Sequence, residues 1–166
     1  MFAKSLFGTA LVLAGLCATG AGAQEMFKKY GSEAGWDIFI RKDMGPGCLL
    51  AKINEAGQQV EMGINAKDDV HGYMALYNKA DATIAAGEKL SVMFDIDGQM
   101  FEGEAIGQRI DGYEGAYARF NNPDFIYDLA KKKTLTITPN GRDPIVLSLA
   151  GTDAAFQALR ACQEAQ

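Results

Sequence analysis

Leu90-Ser91-Val92-Met93-Phe94-Asp95-Ile96-Asp97-Gly98-Gln99-Met100-Phe101-Glu102-Gly103-Glu104-Ala105 decides the fold class. Two β-rich runs flank Ile96-Asp97-Gly98. An Asp-Gly pair in that position signals a tight hairpin, because the primed two-residue turns need positive φ there. Side chains alternate across a strand, so Glu102 and Glu104 share one face and leave Phe101 and Ala105 for the buried one.

The same signal recurs downstream. Thr134-Leu135-Thr136-Ile137-Thr138 and Ile145-Val146-Leu147-Ser148-Leu149 flank Pro139-Asn140-Gly141-Arg142, a second hairpin with Asn-Gly at its tip. Its threonines share one face, and Leu135 and Ile137 share the other. Upstream, residues 36–41, 48–53, 59–64 and 72–78 read as strands separated by turn clusters at 42–47 and 54–57. In 59–64, polar and apolar residues alternate and place Val60, Met62 and Ile64 on one face. Residues 24–35 are polar and contain glycine, and read as a loose N-terminal arm.

Two segments have helical spacing. In 122–133, Asn122 suits a cap, Pro123 suits the first helical position, and Phe125 and Leu129 stack one turn apart. Lysines close that segment at the negative end of its dipole. The other helix starts at Thr152, read as a cap, with Asp153 in its first turn; Ala155, Leu159 and Cys162 form its inward stripe. The expected fold is mainly β: one domain over 36–166, an antiparallel β-sandwich or strongly curved sheet with two helices, one of them C-terminal.

Residues 1–23 read as a signal peptide: Lys4, an apolar run from Leu6 to Cys17, and Ala21-Gly22-Ala23 as an A-x-A cleavage site. The run is too short to span a bilayer, which takes roughly 20 residues, and no transmembrane segment is expected elsewhere. A lipid anchor at Cys17 is disfavoured, because bulky Leu16 precedes the cysteine and the A-x-A site lies downstream. Export leaves Cys48 and Cys162 as an isolated pair, which in an oxidising compartment reads as one structural disulfide. The localisation that follows is periplasmic or secreted.

Composition narrows the function further. The chain has 166 residues, 48% hydrophobic and 22% charged, with a formal net charge of −5. That acidic balance argues against nucleic acid as a partner, which needs clustered Lys and Arg. His71, the one histidine, follows Asp68-Asp69. A general base oriented by a carboxylate, or an Asp/His metal site, is the sharp reading. However, no G-x-S-x-G elbow accompanies it, and the segment reads better as a solvated turn. Asp95-Ile96-Asp97-Gly98 starts like a calcium loop, but the twelfth position, where such a loop needs a bidentate Glu, is Ile106. Glu102 and Glu104 could do glycosidase work, yet on a strand they read as a water-facing side. The glycines form no dinucleotide fingerprint. No catalytic residue, metal site or cofactor is assigned on these grounds.

One stretch suggests recognition. In a strand from Tyr113, the residues Tyr113, Gly115, Tyr117 and Arg119 line one face, and Ala116, Ala118 and Phe120 line the other. With Arg109 they make a candidate binding face of Arg109, Tyr113, Tyr117 and Arg119. The bland alternative is cross-strand packing with snorkelling arginines.

Trp36, Cys48 and the terminal stretch Leu149-Ala150-Gly151-Thr152-Asp153-Ala154-Ala155-Phe156-Gln157-Ala158-Leu159-Arg160-Ala161-Cys162 resemble small exported proteins of alphaproteobacteria. In particular, they resemble the invasion-associated locus B family. The chain departs from that family in the number and placement of its cysteines. The resemblance implies a periplasmic or secreted β-rich protein of the envelope or of host-cell contact, with no catalytic residue to carry over. The leading expectation is a non-catalytic interaction protein of the envelope, its partner an envelope or host protein. The alternatives are a carrier of a small apolar ligand and a hydrolase using Asp68, Asp69 and His71. Intact mass of the exported protein is expected to correspond to a chain starting at Gln24; a mass that retains 1–23, or that carries lipid on Cys17, contradicts the leader reading.

Overall fold

The computed structural model describes residues 26–166 except 46, 68, 80–82 and 111, so the leader at 1–23, Cys17 and Asp68 lie outside the described residues. The strands are β1 (Phe27–Glu33), β2 (Trp36–Arg41), β3 (Cys48–Ile53), β4 (Gln59–Asn65), β5 (His71–Asn78), β6 (Lys89–Ile96), β7 (Gln99–Ile110), β8 (Tyr113–Phe120), β9 (Thr134–Pro139) and β10 (Ile145–Ser148). The helices are α1 (Asp124–Asp128) and α2 (Thr152–Glu164), with 3-10 turns at Lys42–Met44 and Leu129–Lys131.

All ten strands form one antiparallel sheet in the order β1-β2-β3-β4-β5-β8-β7-β6-β9-β10. The run β6-β7-β8 folds back so that β8 pairs with β5, which is a Greek-key arrangement. Both expected hairpins are present. Asp97 and Gly98 have φ of 52° and 88° between the paired ends Ile96 and Gln99, as a primed turn requires.

The mainly β fold with two helices is as expected, and the curved-sheet alternative is the one realised. Trp36, Ile38 and Leu50 from one end share a single core with Phe94, Leu135 and Leu147 from the other. Curvature, and not a second sheet, closes the domain. Helix α2 adds Ala155, Phe156, Leu159 and Cys162 to this core, and the 124–131 segment adds Ile126 and Leu129. The Trp36 indole N–H donates to the Ala150 carbonyl at 3.3 Å, tying β2 to the entry of α2.

Three local expectations need correction. Residues 27–33 are not a loose arm: they pair with β2, with a register irregularity between Lys29 and Gly31. As an edge strand whose side chains are mostly exposed, β1 has no need of the apolar alternation that marks a buried strand. The helix expected over 122–133 is shorter, with α1 giving way to the 3-10 turn. Asn122 does serve its start, since Oδ1 accepts from the Asp124 N–H at 3.1 Å. Thr152 is not a cap. Gly151, with φ of 80°, precedes the helix, and the buried Thr152 hydroxyl donates to the Leu149 carbonyl at 2.6 Å.

Cys48 and Cys162 form the expected disulfide, with Cα atoms 6.2 Å apart across 114 residues of sequence. Both are fully buried, and the Cys48 N–H donates to Gln163 Oε1 at 3.0 Å. The last helix is therefore fastened to β3 by a covalent bond and a hydrogen bond. Among the described residues, no helix is long and apolar enough to cross a membrane.

Gly115, in β8, meets its neighbour unusually closely. A Cβ there would run into the Leu76 carbonyl oxygen and come within 2.8 Å of the Tyr77 Cα, both on β5. Gly31, by contrast, has open space around its Cβ position. Gly115→Ala is expected to lower stability by about 1–3 kcal/mol and Gly31→Ala by less than about 0.5 kcal/mol, read from denaturant midpoints. Equal midpoints for the two variants would contradict the close β5–β8 approach.

Candidate functional site

The curl sends one set of side chains to the core and leaves the alternate set on the other face. There Met44, Leu49, Tyr73, Ala75 and Tyr77 are buried, with Phe27, Phe39, Ala51, Ile110, Tyr113 and Tyr117 half-buried beside them. Register explains the grouping. Directly paired residues in an antiparallel sheet point the same way, so Phe39, Leu49, Gly63, Tyr73 and Arg119 form one row across five strands. Asp37, Ala51, Glu61, Ala75 and Tyr117 form the next. Ile53, Gln59, Tyr77 and Gly115 form a third. Gly63 and Gly115 contribute no side chain, which hollows the face into a trough.

The trough holds two cavities that share Tyr77 as a wall. One, of about 370 Å³, is lined by apolar and aromatic side chains that include Phe27, Phe39, Leu49, Ile110 and Tyr113. The other, of about 490 Å³, is polar, and its lining includes Arg41, Lys67, Asp69, His71, Tyr117 and Arg119.

Glu61 sits in the floor, 1% exposed. Its carboxylate accepts from Gln59 Nε2 at 2.7 Å and from the Tyr73 hydroxyl at 3.3 Å, and lies 3.9 Å from Arg41 Nη1. Burial holds this carboxyl above the ordinary carboxylate range and outweighs the opposing pulls of Gln59, Arg41 and Tyr73. Burial also works against the charge of Arg41, but the Asp43 fork at 2.7 and 2.9 Å, with help from Tyr73 and Glu61, raises its basicity. Burial likewise pushes the Tyr73 and Tyr77 hydroxyls up. The Tyr77 hydroxyl donates to Gln108 Oε1 at 2.8 Å.

Of the candidate binding residues, Tyr113, Tyr117 and Arg119 lie on the trough face. Arg109 does not. The β7–β8 register pairs it with Glu114, whose face is that of Ala116 and Ala118, and the two side chains form an ion pair at 3.0 Å. His71 is also not in a solvated turn. It opens β5 opposite Asn65 and is 8% exposed. Its Nδ1 lies 2.7 Å from the Asp69 main-chain carbonyl and 3.1 Å from an Arg119 nitrogen, so no carboxylate orients it among the described residues.

Of the remaining acidic candidates, Asp95 and Asp97 have structural work. Asp95 accepts from the Gly98 N–H at 2.7 Å, and Asp97 accepts from the Lys133 and Thr134 N–H groups at 2.9 Å each. Those bonds, Lys133 first, hold the Asp97 carboxyl below its ordinary range. Glu102 and Glu104 are exposed, and Glu104 pairs with Lys89 at 3.1 Å. On the core side, a cleft of about 140 Å³ between Met74, Leu90, Phe94, Ala118 and Ile137 is well below the roughly 300–1,000 Å³ of small-molecule sites, and a cleft of about 750 Å³ lies where Trp36 and Val60 meet Ile145 and Leu147, with Lys52, Asn54, Glu55 and Gln58 also in its lining.

Sequence reasoning missed Glu61, Arg41 and Tyr73. Polar alternation in β4 reads as a water-facing side, and only the chain-distant aromatic residues of β5 reveal that this side is covered.

No family model matches the sequence, and no curated protein matches it. The fold is similar to the crystal structure of invasion associated protein B from Bartonella henselae, with a TM-score of 0.52 and 15% identity over 83% of this chain and 97% of that one. At that identity the likeness is one of fold, and it agrees with the resemblance carried by Trp36, Cys48 and the terminal helix.

The raised Glu61 carboxyl has a pH consequence. A carboxyl whose folded pKa exceeds its unfolded value favours folding while both states are protonated, and that contribution is lost as pH rises through the folded pKa. Glu61→Gln keeps a neutral group in place. Its stability relative to wild type is expected to improve from pH 4 to pH 8, read as the difference in denaturant midpoints. A difference that stays flat or moves the other way contradicts a raised pKa.

Proposed function

We propose that this chain is an exported, non-catalytic binding protein of the bacterial envelope, and that the aromatic trough takes an extended segment of a partner protein. The observation that carries this reading is the trough itself. Helices α1 and α2 pack on the core side of the sheet, while Phe27, Phe39, Tyr113 and Tyr117 stand half-buried on the other. Tyrosine and phenylalanine are enriched in interface cores, where they bury large areas at small entropic cost.

Export is supported by the apolar run and A-x-A site, by the buried disulfide and by the fold shared with an invasion-associated protein. The non-catalytic reading is supported by His71, which engages a backbone carbonyl and a guanidinium where a triad would use a carboxylate. The apolar cleft is too narrow for a ligand, and the larger one beside Trp36 is lined in good part by Lys52, Asn54, Glu55, Gln58 and Ser148, which favours a partner segment on the trough over a carrier with an enclosed apolar ligand.

A photo-reactive phenylalanine analogue at position 113, compared with one at Val146 on β10, tests this in living cells. Val146 is 64% exposed and lies outside the trough. Irradiation is expected to yield a discrete protein adduct from position 113 and none from 146. Identical adducts from both positions, or none from 113 in protein recovered from the periplasm, would overturn the reading.

A further inference from the structure

Arg119 stands apart from the other arginines of this chain. Arg41 holds Asp43, Arg109 holds Glu114, Arg142 approaches Glu88 at 4.0 Å, and Arg160 lies over the Tyr127 ring at 4.1 Å. Among the described residues, Arg119 has neither a carboxylate within ion-pair distance nor a ring beneath it; its polar neighbour is His71 Nδ1 at 3.1 Å. That nitrogen is also 2.7 Å from the Asp69 carbonyl oxygen. An N–H at Nδ1 satisfies the carbonyl, and the guanidinium then faces another donor. A bare Nδ1 would accept from Arg119 but set its lone pair against the carbonyl at that short distance. The shorter contact favours the N–H form, which leaves the Arg119 donors to the cavity.

Lys67 lines the same cavity and likewise forms no ion pair among the described residues. Of the acids there, Asp43 is engaged by the Arg41 fork, which leaves Asp69 against Arg119 and Lys67. The balance favours a single negative charge. Guanidinium and ammonium groups bind oxyanions through charge-assisted hydrogen bonds, and the planar guanidinium fork matches a carboxylate. The adjoining aromatic cavity begins at Tyr77, one side chain away.

We propose that the polar end of the trough is a carboxylate-binding site, with Arg119 as its principal donor and Lys67 and His71 beside it, and that the apolar body attached to the carboxylate lies toward Tyr77 and Tyr113. This rests on reading the trough as the binding face, and adds the chemistry that the face selects. The carboxylate could belong to a chain terminus or acidic side chain of the partner segment, or to a free acid.

Because His71 is the one histidine in the chain, its ring resonances report on this cavity alone. At fixed pH and ionic strength, the full mature protein is titrated with acetate, N-acetyl-phenylalaninate, dodecanoate and inorganic phosphate, with chloride as reference. Acetate is expected to shift the His71 resonances saturably and chloride to leave them unmoved, with N-acetyl-phenylalaninate binding at least about fivefold more tightly than acetate. Arg119→Gln is expected to weaken carboxylate binding about tenfold, as loss of a charged hydrogen bond does, with Arg119→Lys retaining part of it. Arg119 is exposed, so these variants should keep the wild-type denaturant midpoint.

Non-saturating shifts equal to those of chloride, unchanged affinity in Arg119→Gln, or phosphate bound more tightly than any carboxylate would each overturn the proposal, whatever the trough binds. If acetate saturates but N-acetyl-phenylalaninate gains nothing, the carboxylate site stands and the trough reading falls. Tighter binding of the aromatic acid than of dodecanoate assigns the site to a peptide carboxylate, and the reverse order assigns it to a fatty acid.

Discussion

The bond between Cys48 and Cys162 is the constraint on which the rest of the structure depends. It fixes α2 to the start of β3 across 114 residues of sequence, with both sulfur-bearing side chains fully buried. A helix fastened there covers one face of β2 and β3 and closes the curled sheet against Trp36, whose indole reaches the Ala150 carbonyl. Once that face belongs to the core, side-chain alternation commits the opposite residues to the other side. The sidedness of the protein, and with it the location of the trough, follows from that single closure.

The trough is more than a leftover surface. Its floor contains the Glu61 carboxylate, which accepts from Tyr73 and faces the Arg41 guanidinium at 3.9 Å, and beside them the Tyr77 hydroxyl, which donates to Gln108. Buried ionisable groups are costly unless their partners are present, and removing one partner destabilises more than replacing the whole set by apolar residues. A patch of this kind holds a surface in one shape. Gly63 and Gly115 give the surface its depth, since both lie on this face and a side chain at either would meet the neighbouring strand.

The strands were legible wherever local chemistry and tertiary role agreed. Asp97-Gly98 and Asn140-Gly141 mark turns by their backbone requirement, and Val60, Met62, Leu135 and Ile137 occupy the core face that alternation assigns them. Strand β1 was illegible because an edge strand with exposed side chains carries no apolar signature. The pairing of Cys48 with Cys162 was readable from the cysteine count together with the expectation of export. The site was only half readable. Tyr113, Tyr117 and Arg119 share a face by simple parity within β8, but Arg109 lies across a turn, and the pairing of Ile110 with Tyr113 sets its phase the other way. Glu61 drew no attention in the sequence because nothing local to β4 states that Tyr73 and Tyr77 on β5 cover the polar side of its alternation.

The sidedness of the sheet depends on the closure of α2 over it by the disulfide. The direct measurement is denaturant unfolding of oxidised and reduced protein, followed through the emission of Trp36, which is 2% exposed and sits at that closure. Reduction is expected to lower stability by about 3–5 kcal/mol, the range expected for loops of this size, with Trp36 emission moving to the red at a lower denaturant concentration. Coincident unfolding curves for the two forms would contradict it.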